Sequence, residues 1–435
     1  MIYFTILISL TSLFFSIRIF KISSPINFFG IFNIFQLITY LIVINSEDLT
    51  YYARKIAIPT IYDVTNNYFY TCYLFIFFSI INLIFCFIFL IKQKKIKNSI
   101  KISFNKDLNI FIKYINIFNS ISLLILLVVL LDINLYKFYS YTGYLNLNDF
   151  DFIEADLIIS KIFLVLIPFF GSISSLGIYL NKEKKFLFFK IISYTIFITL
   201  LIIALSKASR LLPLLLVINF LCFLILYPKE NLLKKLLLLF LITISYLLVL
   251  ELRGYNDLGL SKTLLGLKNI FNHDRYFLFE QLSKIFYNLS QGAIIFDLTL
   301  NFEPYYEFRY KILSIIPSIS YFDNFNQNFY ILIHEVYRLN KINPFNSFGE
   351  AYLFGSIYFY FYIFIFLLCI FYSSIINEKI TNNFYYLPVL ASTYFIIIYS
   401  TQYNLRNVSK YIYISLFSIF IFNFFLKKIS LKKVS

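Results

Sequence analysis

Glu350 stands in the stretch FNSFGEAYLFGSIY (345–358), a carboxylate at the edge of a long apolar run. A charge beside lipid is costly and marks a site or a structural device. As a site residue its chemistry would be that of a general base, taking the proton from an attacking hydroxyl. His273, in FNHDRYF, is a second residue of that kind, because imidazole titrates near neutral pH. Asp274 follows it and could orient the ring or balance its charge, with Arg275 next in the same polar cluster. Each reading has a plainer rival. His273, like His334 in ILIHEVY, can be a surface histidine. Glu350 can be favoured by a helix macrodipole, with Ser347 three residues earlier forming a capping box with it.

The arginines are the third chemical signal. The chain has 30 lysines and 8 arginines. Lysines crowd the connectors KQKKIKNSIKISFNK (92–106), NKEKK (181–185), PKENLLKK (228–235) and the tail KKISLKKVS (427–435). Those four lie on one face if the apolar runs between them cross a bilayer, and the positive-inside rule makes that face cytoplasmic. Seven arginines then fall on the opposite face: Arg54, Arg210, Arg253, Arg275, Arg309, Arg338 and Arg406. Only Arg18 is inside. A guanidinium is a planar, always-charged fork suited to phosphate and pyrophosphate oxygens. Arg210 in SKASRLLP, Arg253 in LELRGYND and Arg406 in QYNLRNVSK sit at the ends of apolar runs, the depth of a lipid pyrophosphate. Arg210 and Arg253 lead as pyrophosphate-binding residues, followed by Arg275, Arg309 and Arg406. Singly, each also fits an interfacial anchor for a helix end.

The elements that must position these residues are transmembrane helices. Of the 435 residues 60% are hydrophobic and only 14% charged, against about 25% charged in soluble domains. The net charge of +16 invites a nucleic-acid reading, but its lysines lie in tracts between apolar runs and serve topology instead. Runs able or nearly able to span occur at 2–20, 26–44, 68–91, 110–131, 157–180, 187–205, 211–227, 232–250, 351–372, 386–400 and 411–426. The expected fold is an all-α polytopic bundle of about 11 helices with one large external loop carrying short helices. Its parts are a bundle of about eight helices over 1–250, the loop at 251–348, and about three C-terminal helices over 349–435. The N-terminus lacks a basic leader and a small-residue cleavage site, so it reads as a retained helix with an external end.

A loop as long as 251–348 is usually functional. Residues 276–290 carry an apolar face that could lie along the membrane or pack on the bundle. Weaker signals are Asp149 and Asp151, spaced for a metal yet more often a solvated acidic loop; Glu47 and Asp48 in the first outer loop; and Lys113 and Lys161, able to snorkel. Cys72, Cys86, Cys222 and Cys369 fall in apolar runs and read as small core residues. There is no phosphate-binding glycine loop, zinc motif or nucleophile elbow.

With these residues in view, NSFGEAYLFGSIYFYFYIF (346–364) resembles the loop-to-helix signature of Wzy-type O-antigen and oligosaccharide repeat-unit polymerases. Gly349, Glu350, Tyr352 and Gly355 are the matching positions. SKASR (206–210) is similar to the family's Ser-Arg element, and LRGYNDLG (252–259) to its Arg-Gly element opening the large loop. The glycine-rich helix expected after Gly355 is replaced by SIYFYFYIF, and the odd span count also departs from the family. The resemblance implies glycosyl transfer between two undecaprenyl-pyrophosphate-linked glycans on the periplasmic face of a bacterial inner membrane. The arginines would hold the leaving pyrophosphate and Glu350 or His273 would act as base. Membrane lipid and a chain-length regulator protein are the implied partners, with no nucleic acid. No metal or other cofactor is expected. Competing readings are an O-antigen ligase or another lipid-linked-sugar glycosyltransferase, and a flippase for lipid-linked oligosaccharide. No internal repeat of the transporter kind is present.

Overall fold

The computed structural model describes residues 1–21, 24–45, 68–96, 105–132, 141–142, 157–181, 186–227, 232–253, 257–271, 275–301, 311–312, 314, 346–379, 387–403, 405, 408–409, 411–416 and 420. Within these the chain is helical apart from one two-residue bridge. The helices are α1 (Ile2–Ile19), α2 (Pro25–Asn45), α3 (Tyr68–Ile96), α4 (Asn105–Asp132), α5 (Ile158–Val165), α6 (Ile167–Leu180), α7 (Leu187–Ser206), α8 (Leu211–Leu226) and α9 (Leu232–Leu252). They continue as α10 (Thr263–Ile270), α11 (Arg275–Thr299), α12 (Ser347–Leu353), α13 (Ser356–Lys379) and α14 (Leu387–Gln402). The bridge pairs β1 (Tyr141–Thr142) antiparallel with β2 (Asp257–Leu258), joining two connectors far apart in sequence.

Among the described residues six helices are long and apolar enough to cross a membrane, within α2, α3, α4, α7, α9 and α13. Four shorter apolar helices, Tyr3–Ile19, Ile167–Leu180, Leu211–Leu224 and Leu390–Thr401, fall where further spans are expected. The outer surface matches a lipid environment. Leu232, Leu233, Leu236, Leu237 and Phe240 of α9 are all exposed, a face too apolar for water.

Helices in lipid gain little from burying apolar surface against one another, so polar pairs and close packing hold them. Asn82 donates to Ser12 (2.9 Å), Ser9 pairs with Ser79 (3.0 Å), and Asn116 and Asn181 bond reciprocally (3.2 and 2.8 Å). Asn119 donates to Ser193 (2.9 Å), joining α4 to α7. Gly177 lies against that bond: a Cβ there would sit 2.2 Å from Ser193 Oγ and 2.4 Å from Asn119 Nδ2.

Two expected spans are interrupted. The run at 157–180 is split at Leu166, with Pro168 opening α6, because proline has no N–H to continue the ladder. The run at 351–372 begins inside a separate short helix, α12, and continues in α13. Gly355 breaks the path between α12 and α13 at φ +111°, where a side chain would be strained.

The segment 251–348 holds more than short helices. The face expected at 276–290 belongs to a 25-residue helix, α11. Its second half is buried from Ser290 to Leu298 and packs on α2. Asp297, fully buried, fixes it there: Tyr40 Oη donates to Oδ2 (2.9 Å) and Thr71 Oγ1 to Oδ1 (3.1 Å). Asp297→Ala would leave two buried hydroxyls without their acceptor, each costing about 1–3 kcal/mol. We expect a lower thermal unfolding midpoint in detergent for Asp297→Ala and most of the stability kept by Asp297→Asn. An unchanged midpoint for the alanine variant would show that α11 is held by packing alone.

Candidate functional site

The turn between α7 and α8 places Arg210. The helix α7 ends in a Schellman-type closure, with Ala208 N–H donating to Leu205 O (2.9 Å) and Ser209 N–H to Ala204 O (2.9 Å). That closure needs a left-handed residue after the cap, usually glycine. Here it is Ala208, at φ +42°. Its methyl is buried with Leu248 and Leu252 of α9, a contact glycine could not make. Ser209 Oγ then accepts from Leu211 N–H (3.2 Å) and starts α8.

Two arginines meet at this turn. Arg253, just past α9, donates from Nε to the carbonyl of Ala208 (3.0 Å). Arg210 is half-buried and donates from Nη2 to Asn288 Oδ1 (3.0 Å) and Gln291 Oε1 (3.2 Å), both on α11. Its guanidinium lies 5.7 Å from the ring centre of Tyr403, within range of a cation–π contact. Burial, with Arg253 close by, pulls the Arg210 guanidinium below its usual value. An arginine so placed still carries its charge. Lys207, one turn back, is pulled down to about 8 by burial.

Glu350 approaches the same neighbourhood by another route. It is 2% exposed, in the first turn of α12, and its Oε2 accepts from the backbone N–H of Leu405. Leu405 is two residues beyond Tyr403. The residue that caps α12 is Asn346, not Ser347: its Oδ1 accepts from Gly349 N–H (2.7 Å). The cap falls one residue earlier than the Ser347–Glu350 pattern suggests, because Asn346 takes the extended backbone that a cap requires. Asn346 Nδ2 also donates to Gly292 O on α11 (2.6 Å). Ser347 donates to Ser400 O (2.6 Å) and accepts from Tyr362 Oη (2.7 Å).

Arg210, Arg253 and Glu350 are therefore brought to one end of the bundle, linked through Tyr403 and Leu405. Arg275 begins α11, but its side chain lies outside the described residues, as do Arg309, Arg406 and His273 altogether. Arg54, Arg338, His334, Glu47, Asp48, Asp149 and Asp151 lie outside them as well. Arg18 is exposed over Phe14, and Lys113 is exposed on α4.

Comparison of the chain with protein-family models, characterised proteins and solved structures finds no match. The site is therefore read from its own geometry.

Asn288, Gln291 and Tyr403 were not among the residues anticipated from sequence. The spacing of Asn288 and Gln291 puts both on one face of a helix, and that face is polar where its surroundings are apolar. Together the groups form a cationic pair lined by amide oxygens and aromatic rings. Such a pair is relieved by an anion offering several oxygens.

Lys207 gives a pH test. Its folded value lies below the ordinary 10.5, so the unfolded chain binds the proton more tightly. Its contribution to stability should rise from about pH 8 towards pH 10.5 and be flat below pH 8. Relative to wild type, Lys207→Met should lose that rise and unfold at a higher temperature at pH 7. Parallel pH curves for the two proteins would show that Lys207 is solvated.

Proposed function

We propose that this chain is a membrane glycosyltransferase that polymerises undecaprenyl-pyrophosphate-linked oligosaccharide repeat units. The observation that carries the reading is the Arg210–Arg253 pair at one end of an apolar helical bundle. The lysine-rich connectors support a reading in which that end faces away from the cytoplasm, the periplasmic side of a bacterial inner membrane. Nucleotide sugars are not expected there, so a donor must arrive already activated. A lipid pyrophosphate carrier meets that condition and presents its charge at the depth of the arginines.

In the reaction, a terminal hydroxyl of one lipid-linked repeat unit attacks the anomeric carbon of the growing glycan on another. The C–O bond to pyrophosphate breaks, and lipid pyrophosphate leaves with the bonding electrons. Negative charge gathers on the leaving group, where a preorganised pair of guanidiniums stabilises it. Amides and tyrosine rings beside the pair suit a sugar next to the phosphate. The hydroxyl proton needs an acceptor, for which His273 is the candidate, because Glu350 is enclosed and its Oε2 already accepts from Leu405 N–H.

Arg210→Ala and Arg253→Ala should each lower polymer formation about 100-fold or more, as loss of one charge-stabilising donor does elsewhere. The assay is glycan length on a gel from a deletion strain complemented with each variant at matched expression. Full-length polymer from both variants would end the pyrophosphate reading. The deletion strain itself separates close rivals. Single-repeat glycan means a polymerase, whereas long unattached chains mean a ligase.

A further inference from the structure

We infer that Glu350 is a positioning residue: its carboxylate clasps the chain leaving α14 and holds Tyr403 against Arg210. The geometry has three parts. Glu350 is fully enclosed and its Oε2 accepts from Leu405 N–H. Tyr403 sits two residues earlier, immediately after α14 ends, with its ring 5.7 Å from the Arg210 guanidinium. Ser347, one turn before Glu350, donates to the carbonyl of Ser400 in the last turn of α14. The first turn of α12 thus grips the end of α14 on both sides of Tyr403, by a carbonyl before it and an N–H after it.

Physical chemistry favours this use of an acid. The last carbonyls of a helix lack partners within it, and Ser347 supplies one. Leu405 has helical backbone, as do 408–409 and 411–416. The chain around Tyr403 is further packed by its own kind: Tyr399 and Tyr403 stack at 4.6 Å, and Tyr399 lies 4.8 Å from Tyr411. The clasp would keep that stack turned towards the arginines.

The protein has no tryptophan, so Tyr403→Trp creates a single reporter at the site. Indole also keeps the cation–π contact. In that background Glu350→Ala should raise acrylamide quenching of Trp fluorescence about twofold as the segment loosens. Glu350→Gln should restore the protected value, because its amide oxygen still accepts from Leu405 N–H. Unchanged quenching in the alanine variant overturns the clasp. Quenching in the glutamine variant equal to that in alanine overturns the neutral-acceptor account.

The link to the site rests on the pyrophosphate reading and has its own arm, binding of farnesyl pyrophosphate to detergent-solubilised protein. With native Tyr403, Glu350→Ala should weaken it roughly tenfold, the loss of one hydrogen bond's worth of order, and Glu350→Gln should recover most of it. A protected reporter with no binding by wild type would end the pyrophosphate reading and leave the clasp standing. Wild-type affinity in Glu350→Ala would overturn the positioning role.

Discussion

Two guanidiniums held together at the end of an apolar bundle are the constraint on which the surrounding structure depends. Like charges repel strongly where water is scarce, and each charge resists burial on its own account. The chain meets this with short polar contacts drawn from different elements. Arg253 spends one N–H on the Ala208 carbonyl, and that carbonyl is turned out by a left-handed residue. Arg210 is met by two amide oxygens one helical turn apart on α11. For those amides to be in place, α11 must lie deep in the bundle. Asp297 ties it to α2 and α3, and Asn346 ties it to α12.

This dependence explains why the least apolar helix of the group is among the best anchored. Helices in lipid cannot rely on hydrophobic burial to find one another, so polar side chains define their contacts. In the half of the bundle built from α4, α6 and α7, the partners are asparagine and serine. Near α11 a carboxylate takes that part, with hydroxyls from α2 and α3 donating to it. A carboxylate buried in this way is tolerated because both its oxygens are engaged. The same helix then carries Asn288 and Gln291 to the arginines, so packing and site geometry are set by one element.

Much of this was legible in the sequence, and the exceptions have physical causes. Apolar run length located the six long apolar helices among the described residues, since a bilayer fixes how long a span must be. Arg210 and Arg253 stood out because arginine and lysine are segregated along the chain. Helix breaks at Leu166 and Gly355 were harder, because hydropathy registers composition and not the missing N–H of Pro168 or a positive φ. The depth of α11 was masked by its mixed composition: an apolar face alone does not tell a surface helix from a buried one. One acid inside AIIFDLTL (293–300) was the available sign, since a carboxylate in such a run needs partners. The roles of Asn288, Gln291 and Tyr403 rest on contacts across 78, 81 and 193 positions of chain (288 − 210, 291 − 210, 403 − 210), which no local pattern encodes.

Glu350 shows how cap and site become one device. An acid in the first turn of a helix is favoured there whatever else it does. Because α12 is short, ending at Leu353 ahead of the break at Gly355, that first turn stays beside the end of α14 and does not run on into α13. The carboxylate can then hold Leu405 N–H without leaving its own helix start. A longer helix through 353–356 would tilt this turn with the span and carry Glu350 away from Leu405. The glycine and the glutamate are therefore coupled: the break at one fixes what the other can hold, and what it holds is the chain that presents Tyr403 to Arg210.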